Sequence, residues 1–309
     1  MVTWRHGDEA LRDPPRCGAR PHGGVLLNKA SAPRFSLVVA TLGRTAELGR
    51  FLAALDAQTA RGFELIVVDQ NEDERLLPVL APYRGRFPIR HLRSAPGLSR
   101  ARNVALPHAG GEVVAFPDDD CLYPADLLEG AARFFQAHPR THGILVRPVG
   151  EDGATLLEYR DEPAPVSRLN VNGRAISFTL FLRREVVAAV GGFDETLGLG
   201  AGTPWGAGED IDYPLRALDA GFRLEYVPGL AVVHPGNRDT ETTLGRAFPY
   251  AAGFGRVCRK HGFPAWYMAY HLCRSVGGML VGASTARPHK VRVHWRALRG
   301  KLHGWRARA

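Results

Sequence analysis

Between residues 35 and 235 the chain alternates short apolar runs with stretches of helical periodicity, and this rhythm restricts the fold more than any other feature. Residues 35–40 form a strand-type run, and Leu48, Phe51, Leu52 and Leu55 then recur at the i, i+3, i+4, i+7 spacing of an amphipathic helix. Residues 63–68 repeat the strand signal and end in Asp69-Gln-Asn. A weaker strand is expected over 89–93, a helix over 98–108, and a fourth strand over 112–116 that runs into Pro117-Asp-Asp-Asp120. Such alternation predicts right-handed crossovers and a mostly parallel, doubly wound α/β sheet. The near-continuous apolar strands agree, because a sheet of that kind is covered on both faces. Ligands in this architecture bind beyond the carboxyl ends of the strands, where Thr41, Asp69 and the three aspartates 118–120 fall. The first strand is followed by neither G-x-G-x-x-G nor a Walker A sequence, which removes support for dinucleotide and P-loop binding.

Beyond Pro124 a helix is expected over 125–138 and a strand over 143–149, followed by a Pro-rich loop and the apolar run 176–182. A Gly-rich stretch from Gly191 to Gly208 leads to Glu209-Asp210, which opens a helix carrying Ile211, Leu215 and Leu218. A long permissive loop that delivers a carboxylate to a helix start has the form of an active-site lid. The first 33 residues show little periodicity and are expected to be a poorly ordered extension. Their short run Gly24-Val-Leu-Leu27 does not make a secretory h-region.

The formal charge of +9 is unevenly placed. From Thr242 onward there are 13 Arg and Lys and no Asp or Glu, leaving 27 basic and 31 acidic groups in the first 241 residues, a net of −4. The basic block can serve nucleic acid, an anionic membrane surface, or solubility alone. Within it, residues 266–284 are aromatic and apolar but interrupted by His271 and Arg274, so they fail as a membrane span. Two readings stay open: a segment lying on a membrane, flanked by Arg287, Lys290, Arg292, Arg296, Arg299 and Lys301, or a core-packing helix with a solvated basic tail. The four Cys, at 17, 121, 258 and 273, form no C-x-x-C pair, and a reducing compartment is the default.

Three adjacent carboxylates at a strand end repel unless a cation or several donors neutralise them. A hard divalent ion shared with substrate phosphates does so, and a solvated acidic turn is the competing reading. Glu209 and Asp210 begin a helix, whose dipole favours an ionised carboxylate; an ordinary acidic first turn would look the same. Asp69 can accept hydrogen bonds from a base or ribose, or serve as a turn residue. Arg100 and Arg102, behind Pro96-Gly97, can meet a diphosphate or line a solvated helix face. His234 ends a strand-type run and, alone, reads equally as a structural histidine.

The ordered series Val38-Val39-Ala40-Thr41, Val67-Val68-Asp69, Gly97-Leu-Ser-Arg-Ala-Arg-Asn103, Phe116-Pro-Asp-Asp-Asp120, Gly191-Gly-Phe-Asp194 and Gly208-Glu-Asp210 resembles the inverting family-2 glycosyltransferases over about residues 35–236. The resemblance implies the GT-A nucleotide-sugar-binding fold over 34–240, with a nucleotide-binding half (34–120), an acceptor half (121–240) and a helical basic C-terminal extension (241–309). It implies Thr41, Asp69, Gly97, Arg102 and Asp118 as nucleotide-binding residues. Asp118 and Asp120 would be the D-x-D pair that, with His234, holds Mn²⁺ or Mg²⁺. Asp210 would be the general base and Glu209 its neighbour. The implied partners are a nucleoside-diphosphate sugar and a glycan or lipid-linked acceptor, with the enzyme cytoplasmic and peripheral on the inner membrane face through residues 256–309, and no nucleic acid. Gln70-Asn71 after Asp69 depart from the more usual acidic and Ser residues, which leaves the base open. The absence of Q-x-x-R-W argues against a polymer-extruding synthase. The stretch 295–304 resembles, more weakly, the tails of bacterial family-2 enzymes that act near membranes. A nucleotidyltransferase making nucleotide sugars is the alternative, though only Gly43-Arg44 matches its loop; a basic-tailed nucleic-acid-binding protein is another.

Overall fold

The computed structural model describes residues 34–155, 162–235 and 240–307, so the expected N-terminal extension lies outside the described residues. The first half follows the predicted rhythm. Strand β1 (Phe35–Thr41) leads to helix α1 (Ala46–Asp56), β2 (Phe63–Asp69), the single turn α2 (Leu77–Leu80) and β3 (Ile89–Arg93). Helix α3 (Leu98–Ala105) and β4 (Val113–Ala115) come next. In the second half α4 (Leu127–Ala137) starts two residues later than expected, after a turn at Pro124, and β5 (Gly143–Val149) matches its predicted bounds. A two-residue strand β6 (Ala164–Pro165), β7 (Leu180–Arg183), α5 (Arg184–Val190), α6 (Glu209–Asp219) and β8 (Leu224–Val233) complete the sheet region. The apolar run 176–182 divides into a 3₁₀ turn over 177–179 and β7, which lets the chain enter the sheet in the opposite direction.

The sheet has the order β3-β2-β1-β4-β7-β5-β8-β6. Four of its seven neighbouring pairs are parallel, with β7 running antiparallel between β4 and β5, and β6 antiparallel at the edge. Alternate residues of each strand feed two separate cores. Val38, Ile66 and Val68 pack toward α3 and α6, whereas Leu37, Val39, Leu65 and Val67 pack toward α1 and α4. Burial on both faces explains the unbroken apolar strands. Thr41, Asp69 and Arg93 stand side by side in register, so three polar residues converge at one carboxyl-end edge.

Three long helices follow: α7 (Thr240–Lys260), α8 (Ala265–Ser284) and α9 (Pro288–Arg306). They are bolted to the body through backbone contact. A Cβ on Gly253 would sit 1.9 Å from the Ala207 carbonyl oxygen, so α7 rests directly on the loop before α6. Lys260 and His261, at the end of α7, reach Asp212 of α6 at 2.7 and 2.8 Å. Gly300 and Gly304 bring α9 equally close to the Phe248 and Ala252 carbonyls of α7. Lys301 of α9 donates to the His271 carbonyl and the Ser275 hydroxyl of α8. The basic stretch is therefore a packed layer rather than a free tail.

Candidate active site

A cleft of about 1360 Å³ opens at the carboxyl ends of the central strands. Its lining joins Gly97, the aspartates 118–120, Glu209, Asp210 and His234, so most of the sequence-predicted site residues meet there. Gly97 turns tightly into α3, and the Leu98 amide donates to the Leu199 carbonyl. The Ser99 hydroxyl donates to the Leu197 carbonyl. The Gly-rich loop is thus stitched to the start of α3 on one side and, through the Gly206 amide and the Pro249 carbonyl, to α7 on the other.

The aspartates find the neutralising partners their spacing demanded. Arg44, from the loop after β1, contacts Asp119 at 2.8 Å and Asp120 at 2.5 Å. Arg102 lies 3.2 Å from Asp118 and 3.8 Å from Glu209, and donates to the Ser177 hydroxyl. Burial pushes Asp118 above the usual carboxylate range despite Arg102, and pushes Asp119 up to about 6. Asp120 goes the other way: burial is outweighed by His234 and Arg44, which hold it low. His234, stacked on the Phe178 ring, is raised in turn because Asp120 outweighs its own burial.

Asp120 Oδ1 is buried, lies 3.2 Å from His234 Nε2, and has no hydrogen-bond donor of good geometry. An unsatisfied carboxylate oxygen beside an imidazole nitrogen fits a divalent ion such as Mn²⁺. The ligand-type atoms that cluster among the described residues belong to Asp120, Cys121 and His234. Cys121 faces the core, and burial raises its thiol well above the ordinary value, so it offers a neutral sulfur. Asp118, the other half of the expected pair, turns to Arg102 and stands outside that cluster.

Three expected nucleotide-binding side chains are already occupied. Thr41 is buried, its hydroxyl 3.5 Å from the Arg44 carbonyl and bonded to Asp119. Asp69 is fully buried; one oxygen accepts from the Asn71 backbone and side-chain amides, the other faces His91 at 3.0 Å and Arg93 at 3.2 Å. Arg102 is 1% exposed and works from beneath the cleft floor. Arg100 points away to Glu195.

Gly208, with φ +107°, makes the left-handed turn that starts α6 and lifts its first two side chains into the cleft. At this helix start desolvation opposes the ionisation that the dipole favours, and opposes it more at Glu209 than at Asp210. Desolvation raises Asp210 to about 6, against Arg102 and the backbone amides at the helix start. Burial and the neighbouring Asp210 charge raise Glu209 further, to about 8. Burial outweighs the dipole because both groups line the cleft rather than a fully solvated helix end. Two lining residues escaped the sequence reading: Arg246 and Tyr250 of α7, one helical turn apart.

A mixed sheet of this order, carboxylates at its switch region and a carboxylate-led helix opposite define a GT-A nucleotide-sugar-binding fold. The same fold occurs in a mannosyltransferase from Pyrobaculum calidifontis solved with GDP-Man and Mn²⁺, with a TM-score of 0.62 and 18% identity, covering 89% of this chain and 88% of that one. It also occurs in Staphylococcus aureus TarS 1–349 solved with UDP-GlcNAc, with a TM-score of 0.59 and 19% identity, covering 87% of this chain and 91% of that one. Residues 36–189 match the model of Glycosyl transferase family 2, and the chain belongs to that family. An uncharacterised glycosyltransferase of Haemophilus influenzae is 26% identical over 191 residues, 59% of this chain and 61% of its own length. The chain spans less than two thirds of the length of the curated relatives it first matches.

Proposed function

We propose that the protein transfers a sugar from a nucleoside-diphosphate sugar to an acceptor hydroxyl with inversion, with Asp210 as general base. The observation that carries this reading is the pairing of two carboxylate groups across one cleft: the strand-end aspartates on one wall, and Asp210 at the head of α6 on the other. Asp120 and His234, with Asp118 nearby, would hold Mn²⁺ or Mg²⁺, which supplies counter-charge to the donor diphosphate. Asp210 takes the acceptor proton as that oxygen bonds to the anomeric carbon and the bond from this carbon to the diphosphate oxygen breaks. Burial and the adjacent Asp210 charge both favour the protonated form of Glu209, which spares Asp210 a second adjacent charge. Gly97 and the occupied residues Thr41, Asp69 and Arg102 support the nucleotide wall from behind. Neighbours of this fold were solved with UDP-GlcNAc and with GDP-Man, so the base stays open. Thermal shift with UDP, GDP and dTDP, with and without Mn²⁺, tests the donor site. One nucleotide is expected to stabilise the protein in a metal-dependent way that Asp120→Ala abolishes; equal shifts without metal would sink the metal assignment. Hydrolysis of the matching donor sugar then tests transfer, and no turnover of any donor favours the nucleotidyltransferase alternative.

The C-terminal layer supports peripheral docking on an anionic membrane through residues 256–309. Among the described residues no helix is long and apolar enough to cross a membrane. Yet α8 exposes Trp266, Tyr270, Val276 and Leu280 along one face, and α9 adds Trp295. An exposed apolar stripe beside a basic, acid-free helix matches a lipid headgroup boundary. Co-sedimentation with phosphatidylglycerol vesicles at physiological salt is expected and should be lost in Trp266→Ser/Leu280→Ser. Binding to duplex DNA instead would favour the nucleic-acid reading.

A further inference from the structure

Arg246 lines an acidic cleft yet forms no ion pair among the described residues. The other basic groups of the lining are engaged: Arg44 with Asp119 and Asp120, His234 with Asp120. The Arg246 guanidinium instead lies over the Tyr250 ring, 5.9 Å from its centre. Contact with a ring face leaves the N–H edge of a guanidinium open for a bidentate anion. The position is fixed, because α7 is pressed on the loop before α6 at Gly253 and tied to Asp212 by Lys260 and His261. Arg246 and Tyr250 therefore hold a set distance from Asp210. They also stand on its side of the cleft: the Gly206 amide, just before α6, donates to the carbonyl of Pro249, the neighbour of Tyr250.

We propose that Arg246 and Tyr250 form an acceptor subsite, and that the acceptor carries an oxyanion, phosphate or carboxylate, close to the hydroxyl that Asp210 deprotonates. This inference rests on the glycosyl-transfer reading above. A cleft lined by carboxylates repels an anionic acceptor unless a cation is placed where the acceptor enters, and Arg246 is a cation so placed. Tyr250 offers a flat face against which the acceptor's carbon skeleton packs, with the guanidinium reading the charge beside it.

The test uses pairs of acceptors that differ only in the charged group: glycerol against glycerol 3-phosphate, and methyl glucoside against methyl glucuronide. Phosphatidylglycerol vesicles are added as a further arm to separate a lipid headgroup from a free phosphate. With the nucleotide selected by thermal shift and the donor sugar by hydrolysis, the wild-type protein should use one charged member at least tenfold more efficiently by kcat/KM. Arg246→Gln should bring that ratio to near one, mainly through the KM of the charged acceptor, and Arg246→Lys should keep part of the preference, which guards against a misfolded variant. Equal use of charged and neutral acceptors by the wild type overturns the inference and leaves glycosyl transfer standing. So does an Arg246→Gln variant that loses tenfold or more in nucleoside diphosphate affinity, because the residue then serves the donor. No turnover of any donor removes the glycosyl-transfer reading and this inference with it.

Discussion

On the wall built from the strand ends, most carboxylate oxygens are partnered: Asp69 by Asn71, His91 and Arg93, Asp119 and Asp120 by Arg44, and Asp118 by Arg102, with Asp120 Oδ1 left open beside His234. On the wall built from α6 and α7, charge is left open. Asp210 has only backbone amides and a distant Arg102 against its desolvation, Glu209 Oε2 is buried without a donor, and Arg246 has no carboxylate. The contrast assigns different tasks. Groups satisfied inside the protein hold geometry, since their charge is already spent; groups held unsatisfied at a fixed place keep their interaction free energy for a substrate.

The largest effect that tests this contrast falls on the open wall. Asp210→Asn should cut transfer roughly 10²- to 10⁴-fold, the size of a general-base contribution, with nucleotide affinity retained by calorimetry. In the wild type, a base raised to about 6 is protonated and idle below that pH, so kcat/KM should climb about tenfold per pH unit and level off above it. Turnover of Asp210→Asn within a few-fold of wild type, or a flat acid limb, would show that the open carboxylate is not the base.

The next effect belongs to the partnered wall and is one of stability. Arg102→Met strips the buried counter-charge from Asp118. Removing one partner of a buried ion pair costs about 3–5 kcal/mol, to be read from the denaturation midpoint in urea. A loss below about 1 kcal/mol would mean that the partnered wall is not held by this residue.

The smallest effect probes the joint inside the open wall, between α7 and the loop before α6. Gly253→Ala introduces a Cβ 1.9 Å from the Ala207 carbonyl oxygen, and an overpacked contact of this kind costs about 1–3 kcal/mol. The shift of α7 should lower transfer more than it lowers nucleotide affinity, because Gly253 and Ala207 both belong to the α6–α7 side of the cleft. Equal losses in both would erase the distinction drawn here.

The sheet's first half was legible because each strand is buried on both faces and so reads as a continuous apolar run, while α1 shows its buried stripe at helical spacing. The aspartates 118–120 and the pair Glu209-Asp210 were legible for a related reason: acidic groups at the end of a buried strand, or after a glycine-rich turn, have few structural uses. Partner choice was not legible. Arg44 is 75 and 76 residues from the aspartates it bridges, and Asp69 meets His91 and Arg93 only because β2 and β3 pair in register. The upward pull on Glu209 and Asp210 was not legible either, because their desolvation depends on the groove around the start of α6, which residues far along the chain build. Arg246 lay hidden among 13 basic groups, and only the backbone contact of α7 with residue 207 brings it and Tyr250 to the cleft. The sequence by itself determined the strand order's raw material, the location of the acidic groups and their placement at strand and helix ends, since these follow from local periodicity and residue type. The tertiary structure alone decided which charges are spent and which stay available, because pairing and desolvation are set by neighbours that the chain brings together only when it folds.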